Sequence, residues 1–570
     1  MNKWLCILVF SQNVGASQVC SHALSLKGEP LYSENAKNLY YVNPDARVFG
    51  SLRLSEVGTF NHFNPYASKG VLGQGTDLMY ESLLSNSADD LHTAYGLLAK
   101  SICIDKDSGW VVWYLQPGVT FHGGKPLTAR DVIYSIDLLK NSKKFLLRQI
   151  LDSVKEVDNV GEDVVRMRIV PYSLDTVIQV GSLPILSANE QSRLLGQQDK
   201  WPSGTGPYYL DKVDRGRSLV YKRRADYWGS SHFLNKGRFN FQKVTWQYFL
   251  SDHTAFMSFL AGKLDFWQES SAKRWHLGYH KRDGVNWQQV CVKHQRPPNI
   301  QGFMINMRRP VVQEPLIREL LIRAMDFDWL NRTMFFNQYK LLSGYFPQTE
   351  YAANKNPSVE EIELAQQMPN PLSVQQLALS PVRQVSEIHD ALMKKGYRWE
   401  QGLLVDPAGN QVQITIPYWD SGYQRILVAY REMCHKVGIR LEMELLSVSD
   451  YLNVLRYHNY DMTWSTFLNN PKPNHEQKLR WHSSGAEKPS SINLVGLKDQ
   501  NIDWLLGQIE TGQHHRTALL LLDRLLRSQH LMVPHWYADC DRIAYSQQLH
   551  MKEHPRFGPD VMSWEMGLIS

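Results

Sequence analysis

Between residues 412 and 445, two alternating apolar segments bracket a helical one. Val412, Ile414 and Ile416 recur at every second position, as do Ile439, Leu441, Met443 and Leu445, with Arg440, Glu442 and Glu444 between them. A period of two lines one face of a strand. The intervening residues 423–436 read as a helix. Strand, helix, strand in that order is a β-α-β unit and commits this part of the chain to an α/β architecture. At 570 residues the chain is too long for one simple core, so two or three lobes are expected.

A second informative stretch is WVVWYLQPGVTFHGGKPLTARDVIYSIDLLK at 110–140. Val111, Trp113 and Leu115 alternate, Pro117-Gly118 turns the chain, and Phe121 opens a short extended piece that Gly123-Gly124 breaks. Thr128 and Asp131 form a capping box, followed by Val132, Ile136 and Leu139 at helical spacing. Elsewhere, Leu52 and Leu54 mark a first strand. SGTGPYY at 203–209 is a glycine-rich turn leading into a hairpin-like stretch. Residues 244–249 read as a strand, and 254–261, 315–334 and 501–528 read as helices. QRPPN at 295–299 is a stiff linker.

Composition narrows the function classes. Hydrophobic residues at 43% and charged residues at 21% fit a soluble globular protein, and the basic residues behind the net charge of +6 are dispersed, which gives no case for nucleic acid. No apolar run is long enough for a transmembrane helix. Lys3 followed by the apolar residues 4–10 has the shape of a short signal peptide. Ser21-His22-Ala23 offers a cut after Ala23, and Val14-Gly15-Ala16 is a second option. Val19 is too bulky for a lipoprotein box before Cys20. The six cysteines match no zinc spacing; Cys291 and Cys434 could pair in an oxidising compartment, or remain buried thiols. There is no G-x-S-x-G elbow, no phosphate loop at Gly123-Gly124-Lys125 because Pro126 follows, and no zincin helix at His475-Glu476. The twenty histidines are scattered. No catalytic residue, metal site or cofactor is assigned, and the chain is read as no enzyme.

The 110–140 stretch resembles the signature of the large peptide- and nickel-type solute-binding proteins of bacterial ABC importers, family 5. The resemblance extends through SGTGPY at 203–208, RADYW at 224–228, FMINMRRP at 303–310 and AMDFDWLN at 324–331. YYVNPD at 40–45, GTFN at 58–61, AYGLL at 94–98 and NHEQ at 474–477 are similar to the Yej-type subgroup, binding proteins of oligopeptide and microcin C importers. The resemblance implies a type II periplasmic binding protein fold of the α/β class: two lobes joined by a hinge, plus a small extra domain (cluster C-like). By that likeness, residues 1–23 are a signal peptide. Residues 24–70, 201–296 and 531–570 form a discontinuous lobe I, 71–200 the extra domain and 297–530 lobe II. It also implies a monomeric periplasmic protein that captures a peptide in the cleft between lobes and docks, closed, on permease subunits in the inner membrane. Ligand that touches both lobes favours the closed state by its differential affinity.

In peptide-binding relatives an Asp beyond a Tyr-Asp-aliphatic strand receives the peptide amino terminus. The matching stretch, YDMTWSTFLNN at 460–470, ends instead in Asn469 and Asn470. An amide accepts a hydrogen bond from an ammonium but brings no charge, which speaks against conventional recognition of a free amino terminus and leaves open a blocked, modified or differently oriented peptide, a murein-derived one included. An ordinary turn is the alternative for Asn469-Asn470-Pro471. The other candidate ligand-binding residues are Phe60, Asn61, Asn64 and Tyr66 in the loop after the first strand, with Trp464, His475, Trp536, Tyr537 and Arg542. Trp464 and Trp536 serve equally well as core or hinge residues. Arg542 could face a ligand carboxylate. Asp328 is read as a helix cap. Two other readings keep the sequence features: the same fold binding a glycan, a nickel chelate or haem, and a receptor that senses ligand without transport.

Overall fold

The computed structural model describes residues 19–567, apart from 68, 142–149, 191–202, 280–285 and 380. The apolar residues 4–10, Cys6 and the Ala16 cleavage option lie outside the described residues. The chain divides into two compact units, residues 1–294 with 540–570, and residues 295–539. The first crossover falls at the start of the QRPPN segment. The second falls at 539/540 rather than 530/531, because Met532–Pro534 completes a sheet of the second unit.

In the first unit the strand Ser51–Val57 runs parallel to Lys243–Phe249, with Leu52 opposite Val244. The hairpin Tyr208–Asp214 and Ser218–Arg223 extends this sheet to four strands. A five-stranded antiparallel sheet holds Val19–Ser21, Ala99–Asp105, Trp110–Leu115, Val164–Ile169 and Val154–Gly161 in that spatial order, except that the last two lie in reverse sequence order. Val111, Trp113 and Leu115 are buried and Tyr114 is not, as the alternation requires. The helix Ala129–Lys140 packs on this sheet. Its capping box is present: the Thr128 backbone N–H and hydroxyl both donate to Asp131 Oδ2, each at 2.9 Å. A third sheet joins Phe266–Gln268, Cys540–Ser546 and Trp287–Lys293.

Cysteine pairing follows sheet neighbours. Cys20 is bonded to Cys103, its register partner, and Cys291 to Cys540. Of the two readings for Cys291 and Cys434, pairing with each other does not occur: Cys434 is a buried free thiol on the inner face of a helix in the other unit, as the alternative had it, whereas Cys291 is bonded.

In the second unit Ile300–Ile305 lies between Met462–Phe467 and Met532–Pro534. The β-α-β unit is present as Gln413–Tyr418, the helix Gln424–Lys436 and Arg440–Leu445, the two strands parallel with Ile414 opposite Leu441. Two long helical expectations are each broken. Residues 315–334 form Pro315–Ala324 and Phe327–Thr333, because Asp326 leaves the helical conformation and accepts the Trp329 N–H at 2.9 Å. The cap is therefore Asp326; Asp328 sits exposed in the first turn. Residues 501–528 form Gln500–Thr511 and His515–Ser528, separated at Gly512, which takes φ 77°. That left-handed geometry suits glycine and ends a helix. The two helices pack together around Ile502, Leu505, Leu519, Leu522 and Leu526.

Candidate functional site

Several motifs that carry the family likeness build the scaffold of the first unit. Glu81 is buried and accepts hydrogen bonds from the Tyr227 hydroxyl and from Trp228 Nε1, the latter at 3.0 Å. Burial pushes its carboxyl up to about 7. Arg224, also buried, reaches the Thr120 carbonyl at 3.2 Å, and the His122 N–H donates to the Gly204 carbonyl at 2.8 Å. Gly204 is required there, since a Cβ would lie 1.8 Å from the Met79 carbonyl oxygen. Residues 120–122, 203–208 and 224–228 thus lock onto one another and onto 79–81.

The loop after the first strand is also closed on itself. Phe60 is buried 4.7 Å from the Tyr248 ring. Asn61 Oδ1 accepts the Val71 N–H and Asn64 Oδ1 the Tyr66 N–H, each at 2.8 Å. Tyr66 is buried and donates to the Pro184 carbonyl. All four side chains hold the loop's shape. Arg542 is buried on the strand Cys540–Ser546, opposite Cys291.

The second unit carries the more open chemistry. The strand Gln413–Tyr418 ends in Trp419 and Asp420, and open α/β sheets bind ligands beyond the carboxyl ends of their strands. Trp419, Asp420, Tyr423, Tyr451 and Trp464 line one pocket there, floored by Phe303. The Tyr423 and Trp464 rings are 4.7 Å apart, while Trp419 is exposed. Asp420 is exposed and accepts the Gly422 N–H at 2.8 Å. Trp464 comes from the adjacent strand Met462–Phe467, paired with Phe303.

Beyond that strand, the Asn469 side-chain NH2 donates to the Pro298 carbonyl at 2.8 Å and the Tyr345 carbonyl at 3.3 Å. These two carbonyls fix which way the amide faces. Its Oδ1 is buried with no hydrogen-bond partner among the described residues, and so is Asn474 Oδ1, five residues on. A buried carboxamide oxygen left without a donor costs about 1–3 kcal/mol, so a ligand N–H reaching it would be favoured. Asn470 is exposed. Asp461, the acid of the Tyr-Asp pair, is buried and held by Arg309 at 2.8 Å and the Thr415 N–H at 2.8 Å.

The remaining candidates are dispersed. His475 is exposed with Nδ1 3.0 Å from Glu510. Trp536 is buried, stacked on His535 at 4.7 Å and packed against Phe335. The Tyr537 hydroxyl accepts from Gln348 at 2.5 Å. Of the residues expected from the sequence, Trp464 lines this pocket, whereas Trp419, Asp420 and Tyr423, which line it too, were not among them. Their signal was the cluster YWDSGY at 418–423, placed where the first strand of the β-α-β unit ends.

Residues 93–489 match the model of the bacterial extracellular solute-binding proteins, family 5. The chain belongs to that family. Among curated relatives of this family 5 protein, the uncharacterized protein YejA of Escherichia coli is 28% identical, over 95% of this chain and 92% of its own. A probable peptide-binding protein YejA of Agrobacterium fabrum is 28% identical, over 95% and 93%. A peptidoglycan-binding protein YepA of the same organism is 27% identical, over 92% and 91%. The fold is that of the solved type II binding proteins. The oligopeptide-binding protein AppA of Bacillus subtilis, in complex with a nonapeptide, superposes with a TM-score of 0.65 at 16% identity, over 92% of this chain and 100% of that one. NikA of Brucella suis, in complex with Fe(III)-EDTA, does so with 0.71 at 17% identity, over 90% and 99%.

Proposed function

We propose that this family 5 protein is the periplasmic peptide-capturing subunit of an ABC importer, which hands its ligand to permease subunits in the inner membrane. The observation that carries this reading is the Asn469 carboxamide, whose fixed NH2 leaves a buried Oδ1 without a donor among the described residues. A peptide supplies N–H donors for such acceptors and side chains for an aromatic wall. Because Asn469 is uncharged, the protein binds a peptide with a free amino terminus and its N-acetylated form within a few-fold of each other. The relative described as peptidoglycan-binding favours murein-derived peptides among the ligands. A neighbouring permease and ATPase gene pair separates transport from sensing.

Native mass spectrometry of protein purified gently from its own periplasm tests the reading. A family of peptide or muropeptide masses released on denaturation is expected; one non-peptide mass would sink it. We further propose that the signal sequence is removed after Ala16. A cut after Ala23 would delete Val19–Ser21, which pairs with residues 102–104, and Cys20, which is bonded to Cys103. Amino-terminal sequencing of the mature protein would then begin at Ser17.

A further inference from the structure

The second unit holds another cavity, of about 530 Å³, that shares none of its lining with Trp464, Asn469, His475 or Trp536. That volume lies in the range of ligand pockets, about 300–1,000 Å³. Its apolar wall comes from Leu341, Leu342, Leu379 and Met532, and its rim includes the exposed Val382. Its charged lining is mostly cationic, Arg323, Arg383 and Arg527 with one carboxylate, Glu319, and His530 stands among them.

The charges do not cancel. Glu319 is buried and answers Arg383 at 3.0 Å. Arg527 is answered by the buried Asp523 at 3.6 Å. Arg318, one turn before Ile322 on the same helix, donates among the described residues to the backbone carbonyls of Val312, Gln313 and Gln529. Arg323 has no ion pair or hydrogen bond among the described residues, and its Nε is shut away from water with no acceptor. The Nε therefore lacks an acceptor, while the half-buried guanidinium lines the cavity where an anion could reach it. His530 reports the same field: burial, then Arg318, Arg323 and Arg383, hold its imidazole down to about 4.

We propose that this cavity is a second binding site, taking a carboxylate that carries an aliphatic chain. The carboxylate meets the Arg323 guanidinium, for which a two-oxygen anion is the geometrically matched partner, and the chain lies along Leu341, Leu342, Leu379 and Met532. Phosphate or sulfate alone would satisfy Arg323 but leave the apolar wall wet, so the tail is part of the specificity. The site is independent of the transport reading and stands or falls without it.

Isothermal titration of the mature full chain with octanoate and with 1-octanol tests it, the two probes differing in the charged end. Octanoate should bind at least ten-fold more tightly. Arg323→Met should abolish that advantage while leaving octanol unchanged. Val382→Glu, at an exposed position where folding is not at stake, should weaken octanoate at least ten-fold by placing a like charge at the mouth. Equal affinity for the two probes, or wild-type octanoate affinity in both variants, would overturn the proposal. Competition by N-acetyl-Leu-Leu, with its C-terminal amide as control, identifies the source of the carboxylate. Displacement of octanoate by the acid alone assigns the site to peptide C-termini, and no displacement by either assigns it to free aliphatic acids. Displacement by acid and amide equally would mean the carboxylate is not read, and would overturn the site as described.

Discussion

At the scale of single residues, the second unit depends on one buried guanidinium. Arg524 is 1% exposed and bonds Glu361 at 2.9 Å. It also donates to the carbonyls of Asn354 at 2.9 Å, Leu377 at 3.0 Å and Asn356 at 3.2 Å. Carbonyls from the 354–356 loop and from Leu377 at a helix end, together with a helix-capping carboxylate, therefore share one side chain. Arg524→Met keeps much of the volume but leaves Glu361 charged, buried and without its partner, which should lower stability by about 3–5 kcal/mol. Glu361→Gln removes the charge but keeps an oxygen for the Ser358 N–H, so it should cost less. Urea unfolding followed in the second unit measures both. A cost for Arg524→Met no larger than for Glu361→Gln would show that the unanswered carboxylate is not the cause. The same logic explains why Asn469 could not be understood from its neighbours in sequence. Its partners, Pro298 and Tyr345, lie more than a hundred residues away, and only they decide that its NH2 is used and its oxygen is not.

At the scale of elements, what was legible is what local periodicity encodes. The 2.0 and 3.6 repeats over 412–445 gave the parallel strand pair and its helix, and the Thr128–Asp131 spacing gave a cap that is present. The broken helices were harder, because Leu316, Leu320 and Ala324 set up a face that periodicity carries on past the true end. The stop signals were there as single residues, Asp326 and Gly512. The signature motifs were legible as a family likeness but not as a role, since the contact of 79–81 with 120–122, 203–208 and 224–228 is tertiary. That contact makes a pH prediction. Glu81 is held up to about 7 in the fold, against an ordinary carboxyl near 4.5 in the unfolded chain. Between those values the folded state binds the extra proton. The stability Glu81 contributes is therefore present at acid pH and lost as pH rises through about 7, by roughly 3 kcal/mol. Glu81→Gln cannot ionise and should flatten that part of the profile between pH 5 and 8. Chemical denaturation of both proteins across this range checks it, and parallel profiles would show that Glu81 is not the titrating group.

At the scale of the whole molecule, the bond Cys291–Cys540 joins the strand by which the chain leaves the first unit to the strand by which it returns. The loop it closes spans 249 residues and contains the entire second unit, 295–539. A cross-link acts mainly on the unfolded chain, and its effect grows with loop length, so a simple reading would have this bond stabilise the second unit strongly. The sheet argues otherwise. While the first unit is folded, Trp287–Lys293 and Cys540–Ser546 remain paired, with the two cysteine Cα atoms 5.5 Å apart. The ends of the long segment are then held together whether or not the sulfurs are bonded, and opening of the second unit alone gains no loop freedom from reduction. When the first unit unfolds, that pairing is gone; the second unit's own pairing of Ile300–Ile305 with Met532–Pro534 still holds the two crossings close, so the disulfide closes a short effective loop through the unfolded first unit's ends. The Cys291→Ser/Cys540→Ser double variant should therefore destabilise the first unit by about 2–4 kcal/mol and leave the second unchanged. Hydrogen exchange read by mass spectrometry under denaturant resolves the two, with peptides from 208–249 reporting one unit and those from 500–528 the other. Equal loss of protection in both would mean that they unfold as one, and that the bond acts on the whole chain.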